Sequence, residues 1–258
     1  MSVSHPGGGS VLYVVPTLGH RPEYLAEMLD SLQCQQAVDL GVVIVAPAGA
    51  DGVRACAEER GVHFVEQAGS GIGGAINQGW RAFGSGYEFW AWLGDDDALM
   101  PGSAARAVQH LRSHPKLSMV YGQCDYVDAD GRLMFTARPS SLAADLLRWG
   151  PDLVPQPGSV ARASAISRAG YLDETLRYAM DLDLFLRLKE VGPIGYVRAV
   201  LARFRWHEGS TTVNSQYASD AEAREVRRRT WVGRRRIGFF LEPVAMFAGR
   251  VLYRLQRS

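Results

Sequence analysis

The chain is expected to adopt an α/β fold with a mostly parallel central sheet flanked by helices, and three observations lead there. Apolar strand-like runs at about 11–16, 41–46, 62–66, 88–94 and 118–122 alternate with helical patterns at about 21–34, 50–60, 73–84 and 101–113. That alternation is the order of a parallel sheet covered by helices. The run Phe89, Trp90, Ala91, Trp92, Leu93, Gly94 is continuously apolar, as in a strand buried on both faces. With 258 residues, 47% of them hydrophobic, the chain is long enough for a full core in one large domain or two small ones.

The first buried strand, Val11 to Val15, follows a polar, Gly-rich start directly, which leaves no room for a charged segment and an apolar signal. Cys34, Cys56 and Cys124 are odd in number and lack metal-like spacing. Both features point to reduced thiols in a cytoplasmic chain, and the cysteines receive no role. After residue 122 the rhythm changes. Tyr126 and Val127, then Asp128, Ala129, Asp130 and Gly131, then Arg132, Leu133 and Met134 read as a hairpin with Asp130-Gly131 at its turn. Its carboxylates resemble the start of a calcium loop, but no Glu stands at the closing position. A loop containing Pro151, Pro155 and Pro157 follows, then helices near 163–169 and 179–190 and a strand near 195–204.

Three consecutive aspartates, Asp95, Asp96 and Asp97, emerge where the 88–94 strand leaves the sheet. Carboxylates a few ångströms apart raise one another's pKa or recruit a cation, and a hard divalent ion is the natural neutraliser. Such an ion with open positions is how proteins hold a diphosphate. The competing reading is that Asp97 caps a helix beginning at Pro101. Capping needs one aspartate, not three. Ligands in such sheets sit beyond the carboxyl ends of the strands, where Pro16-Thr17 and the aspartates both lie.

Charge is segregated along the chain. Residues 224–258 hold ten arginines against Glu225 and Glu242, whereas residues 1–223 hold 18 basic and 25 acidic side chains. Arg227 to Arg229 and Arg234 to Arg236 flank Trp231 and lead into apolar residues from Ile237 to Leu252, interrupted by Glu242, Pro243 and Arg250. The stretch is too short and too charged to span a bilayer. It suits an anionic membrane surface, a partner groove or nucleic acid, or else a helix packed with its arginines toward the acidic body.

Gly69, Gly71 and Gly74 satisfy a G-x-G-x-x-G pattern after the 62–66 run. A nicotinamide-dependent oxidoreductase is therefore the alternative, although the motif follows the third strand instead of the first and three acids follow instead of one.

With these pieces in place, residues 11 to about 212 resemble the family 2 glycosyltransferases of the GT-A type, whose fold is Rossmann-like. The resemblance rests on Val14 to Arg21 with the following helix, on Gly73 to Gly79, and on Asp95 to Asp97 as a D-x-D element. It rests further on Gln156 to Val160 with Gly170 to Glu174, on Tyr178 to Leu188, and on Phe204 to His207 with Ser210 and Thr211. It implies a nucleotide-sugar donor near Pro16, Thr17, Gly73, Asn77, Asp95 and Asp96, and Mn2+ or Mg2+ near Asp96, Asp97 and His207. It also implies an acceptor side at Gln156 and Gly158, and Asp181 as general base of an inverting displacement. Domain 1–223 is then divided into a donor half, 1–122, and an acceptor half, 123–223, followed by a helical basic tail, 224–258. A sugar, lipid-linked or other hydroxyl acceptor is expected, at the inner face of a membrane if the tail binds one, and no nucleic acid. Retaining stereochemistry, a non-catalytic sugar-binding role and a homo-oligomer remain open. Asp183, about 200° round the helix from Asp181, cannot face the same pocket, so one of the two is structural. The chain departs from the pattern twice: Val45 is followed by Ala46, Pro47, Ala48 and Gly49 where paired aspartates are usual, and Met180 replaces the usual Glu. The second departure removes a neighbouring carboxylate and predicts a smaller rise in the Asp181 pKa.

Overall fold

Residues Val11 to Val15 are all at most 1% exposed, and their side chains alternate between two separate apolar cores. Leu12 and Val14 join one core with Trp80, Trp90 and Trp92; Val11, Tyr13 and Val15 join the other with Leu25, Met28 and Leu29. A strand buried on both faces is what a continuous apolar run dictates. The structure, a computed structural model, describes residues 9–150, 152–207 and 216–230.

The elements in chain order are β1 (Ser10–Pro16), α1 (Pro22–Gln33), β2 (Asp39–Ala46), α2 (Asp51–Glu59), β3 (His63–Glu66), α3 (Ile72–Phe83), β4 (Phe89–Trp92) and β5 (Ala98–Leu99). Then come α4 (Ser103–Ser113), β6 (Met119–Val127), β7 (Leu133–Ala137), α5 (Ala143–Leu146), β8 (Val160–Arg162), α6 (Ala163–Ala169), α7 (Met180–Val191), β9 (Ile194–Arg205) and α8 (Gln216–Thr230). One sheet runs β3-β2-β1-β4-β8-β6-β9-β5, with β7 paired to β6.

The first half is parallel, as expected: β3 with β2, β2 with β1, β1 with β4. The second half is not. β8 lies antiparallel between β4 and β6, β5 is antiparallel to β9, and β6 pairs antiparallel with β7 but parallel with β9. The sheet is therefore mixed. Strands as short as Ala98–Leu99 and Val160–Arg162 carry no periodicity of their own, so sequence patterning passes over them. The hairpin forms as read, with Gly131 at φ +81° and its N–H donating to the Asp128 carbonyl at 3.0 Å.

Two boundaries differ from expectation. The helix expected from 101 begins at Ser103 behind Gly102, which takes φ +73° and leaves no side-chain cap. Asp97 is therefore not its cap. The boundary at 223/224 falls inside α8, where Val226 and Arg227 are buried and the Arg227 Nε donates to the Leu147 carbonyl at 3.1 Å. The start of the basic tail is thus packed on the body, while Trp231, Arg234 to Arg236 and the apolar run after them lie outside the described residues, as do Pro151, Ser210 and Thr211.

Candidate active site

The strands β1, β4, β6 and β9 point the same way and end at Pro16, Trp92, Val127 and Arg205. The residues that follow them are thereby delivered to one edge of the sheet. Thr17, at the end of β1, donates its hydroxyl to Asp95 Oδ2 at 2.5 Å and accepts the Gly19 N–H at 2.9 Å. The Asp96 Oδ2 lies 2.8 Å from His207 Nε2 and accepts from Arg21 Nη1 at 3.1 Å, and that same Nη1 is 3.1 Å from His207 Nε2. Gly94 makes this crowding feasible, since a Cβ there would stand 2.8 Å from Asp96 Oδ1 and 3.0 Å from Asp97 Oδ2.

Asp97 turns the other way. It is 6% exposed, and its Oδ1 accepts the Arg205 N–H at 3.1 Å. Burial first, then the Asp96 charge, holds its pKa well above the usual carboxylate range. Asp95 is also raised, by burial above all, against the pull of the Thr17 hydroxyl. The expected metal set of Asp96, Asp97 and His207 is therefore only partly assembled: Asp96 and His207 converge, whereas Asp97 faces inward. No group of three such side chains stands together among the described residues. The Asp96 oxygen suits Mn2+ or Mg2+ that draws its remaining ligands from a diphosphate and water, and the His207 nitrogen favours Mn2+ of the two.

Two arginines from the segments that carry the resemblance, given no role of their own there, belong to this cluster. Arg21 precedes the Pro22 that starts α1, and Arg205 ends β9. Arg205 is 5% exposed; its Nε donates to the Asp96 carbonyl at 3.2 Å, its Nη1 to the Ala129 carbonyl at 3.0 Å and its Nη2 to Glu27 Oε2 at 2.5 Å, with Tyr24 stacked 4.4 Å away. It ties the aspartate turn to α1 and to the β6–β7 hairpin.

The glycine segment serves packing. Gly73 lies under the Asp173-Glu174 backbone, 3.6 Å from the Glu174 Cα to where a Cβ would be. Asn77 has no exposed surface; its Nδ2 donates to the Leu172 carbonyl and to Glu174 Oε1, and its Oδ1 accepts the Leu172 N–H. The side chain expected near the donor thus bonds within the protein instead. Gly69, Gly71 and Gly74 follow β3, the terminal strand of the sheet, instead of the first strand, and precede or open α3. A dinucleotide fingerprint belongs at the central switch point, so its alternative is not favoured.

Beyond β4 and β9 opens a cleft of about 530 Å³, walled by Trp92, Gln156, Tyr178, Asp181, Trp206 and Arg224 among others. Gln156 is fixed there by donating Nε2 to the Trp92 carbonyl at 2.9 Å. Gly158 does not reach it; at φ +80°, its missing Cβ makes room for Leu201 and Ala202 of β9. Asp181 is the second residue of α7, whose N-cap is Ala179, so it is not the cap. Its Oδ1 accepts the Leu182 N–H at 2.8 Å. Asp183, 9% exposed, is held by Arg187 Nε at 2.9 Å and is the structural member of the pair.

Asp152, on the same wall, carries no motif and sequence reasoning passed over it. Burial and the Asp181 charge push its pKa up to about 7. Asp181 is raised as well, by burial first and by the Glu222 charge. A carboxylate from α8, Glu222, thus stands near Asp181 where Met180 offers none. A larger hollow of about 740 Å³ lies elsewhere, between α5, α7 and the end of α8, and is lined by ion-paired side chains.

A mixed α/β sheet with an acidic cluster at its strand ends and a carboxylate-walled cleft is the arrangement of a GT-A-type fold. The model of glycosyl transferase family 2 matches residues 13–168, and the chain belongs to that family. An uncharacterised glycosyltransferase of Rickettsia bellii is 26% identical over 207 residues, covering 74% of this chain and 29% of the relative. One of Rickettsia typhi is 23% identical and covers 73% of this chain and 62% of its own length. The chain thus spans less than two thirds of these relatives. Among solved structures, S. aureus TarS (1–349) in complex with UDP-GlcNAc aligns with a TM-score of 0.61 at 16% identity, over 84% of this chain and 65% of TarS. The mannosyltransferase PcManGT of Pyrobaculum calidifontis in complex with GDP-Man and Mn2+ gives 0.60 at 18% identity, over 78% and 58%. At such identities the likeness is one of fold.

Proposed function

We propose that the chain transfers a sugar from a nucleoside-diphosphate sugar to an acceptor hydroxyl in a single displacement that inverts the anomeric centre. The observation that carries this reading is Asp181, a carboxylate on the cleft wall with a raised pKa. As the acceptor oxygen attacks the anomeric carbon, Asp181 Oδ2 takes its proton, and the bond to the diphosphate breaks with the electron pair leaving on the nucleotide. Arg21 and Thr17 stand at the strand ends where the diphosphate fits. Asp96 and His207 would hold Mn2+ or Mg2+, which supplies charge neutralisation to the leaving group. Complexes of fold relatives with UDP-GlcNAc and with GDP-Man and Mn2+ support a nucleotide-sugar donor and a divalent ion. The arginine-rich residues 224–258 support a lipid-linked acceptor at an anionic membrane surface, as in surface polysaccharide or glycolipid assembly.

The test is calorimetry with UDP, GDP, dTDP and NAD, each with and without Mn2+ or Mg2+. One nucleoside diphosphate should bind only with metal, and Asp96→Ala should abolish that binding. Asp181→Asn should bind the nucleotide as the parent does but turn over about 10²- to 10⁴-fold more slowly. The parent's activity should rise with pH through the raised Asp181 pKa, because only the ionised carboxylate accepts a proton. Proton NMR of the product reads its anomeric configuration. Metal-independent NAD binding, or unimpaired turnover by Asp181→Asn, would sink the proposal.

A further inference from the structure

The N-terminus of α7 is held by a side chain from outside it. Ala179, the N-cap, makes no side-chain capping bond, and the amides ahead of a helix's first turn need acceptors. Glu222 of α8 supplies them. Its carboxylate accepts the N–H of Arg177 at 3.0 Å, of Tyr178 at 2.5 Å and of Ala179 at 2.7 Å. Three successive amides converging on one carboxylate form an anion nest whose anion is built into the chain. Asp181 follows two residues after the last of them. Glu222 is half-buried and is not among the residues lining the cleft, whereas its α8 neighbours Ser219, Asp220, Ala223, Arg224 and Arg227 are.

We propose that Glu222 is the positioning residue for Asp181: by tying the 177–179 turn to α8, it fixes the start of α7 and so the direction in which the Asp181 carboxylate faces the cleft. This rests on the reading of Asp181 as the base and deepens it, making α8 part of the active site. The arrangement also gives Asp181 its charged surroundings. Asp152 faces it from the loop before β8, Glu222, Asp220, Arg224 and Arg227 belong to α8, and Arg177 and Tyr178 lie in its own turn. Removing the Glu222 charge therefore lowers the Asp181 pKa, because that charge is one of the causes that raise it.

The test needs neither donor nor acceptor. In the full chain, hydrogen exchange of the Tyr178 and Ala179 amides should accelerate at least roughly tenfold in Glu222→Ala, with the Val11 to Val15 amides of β1 unchanged. In Glu222→Gln, which keeps the size of the side chain, the carboxyl carbon of Asp181, followed by NMR and assigned with Asp181→Asn, should titrate at lower pH than in the parent. Unchanged exchange at 178–179, an unmoved Asp181 titration, or equal loss of protection in β1 would each overturn the proposal. These readouts stand apart from turnover, so an active Asp181→Asn would remove the base while leaving the Glu222 anchor intact.

Discussion

Asp97 and Asp181 are both carboxylates with raised pKa values, yet only one lines the cleft. Asp97 is buried with an oxygen engaged by the Arg205 N–H, whereas Asp181 opens on the cleft. For Asp97 the linkage has a definite sign. A carboxyl whose folded pKa is raised contributes stability below the ordinary carboxylate range and loses it as pH climbs to the raised value. In chelator-treated protein, Asp97→Asn keeps an Oδ1 for the Arg205 N–H and has no proton to lose. The variant should melt higher than the parent at pH 8, and the gap should close toward pH 4. Thermal melts at both pH values check it, and a pH-independent gap would refute the cause. At this scale the sequence was a partial guide. The three aspartates lie at a strand end as expected, but which one turns inward depends on Gly94 and Arg205, and the latter lies 108 residues from Asp97.

At the scale of elements, α3 presses on β1 where Gly79 meets Val14. A Cβ at Gly79 would come within 2.6 Å of Val14 Cγ1 and 2.9 Å of Cγ2, and Val14 is fully buried. Replacing a helical glycine by alanine gains about 1 kcal/mol in helix propensity, whereas overpacking a tight core costs about 1–3 kcal/mol. Gly79→Ala should therefore lower stability by up to about 2 kcal/mol in urea unfolding, and a stabilised variant would show that the helix can shift. Long, regular elements were legible in the sequence: β1, α1 and α7 carry apolar periodicity and lie close to where it put them. β5, α5 and β8 were not legible, because their two to four residues show neither a period nor a continuous apolar run like that of β4. β8 is defined by its partners β4 and β6 alone.

The whole molecule sets its basic end against a mainly acidic body. Arg229 already meets Asp173 at 3.1 Å, so part of the excess charge is engaged within the fold. No helix among the described residues is long and apolar enough to cross a membrane. Because Val226 and Arg227 are buried, truncation after Thr230 leaves α8 whole, whereas truncation at 224 would breach it. Anionic liposomes should carry the full chain in flotation and leave the chain ending at Thr230 behind; equal flotation would take the membrane role from the tail. The sheet has one further consequence, at its two ends. β3 has four residues and begins and finishes with exposed His63 and Glu66, and β5 has only two residues. Such terminal strands present few unpaired amides and carbonyls to a foreign strand. The β3 end of the scaffold that brings Thr17, Asp96 and His207 together is thereby shielded from edge-to-edge aggregation, whereas β7, with exposed Leu133 and Met134, is its more open edge.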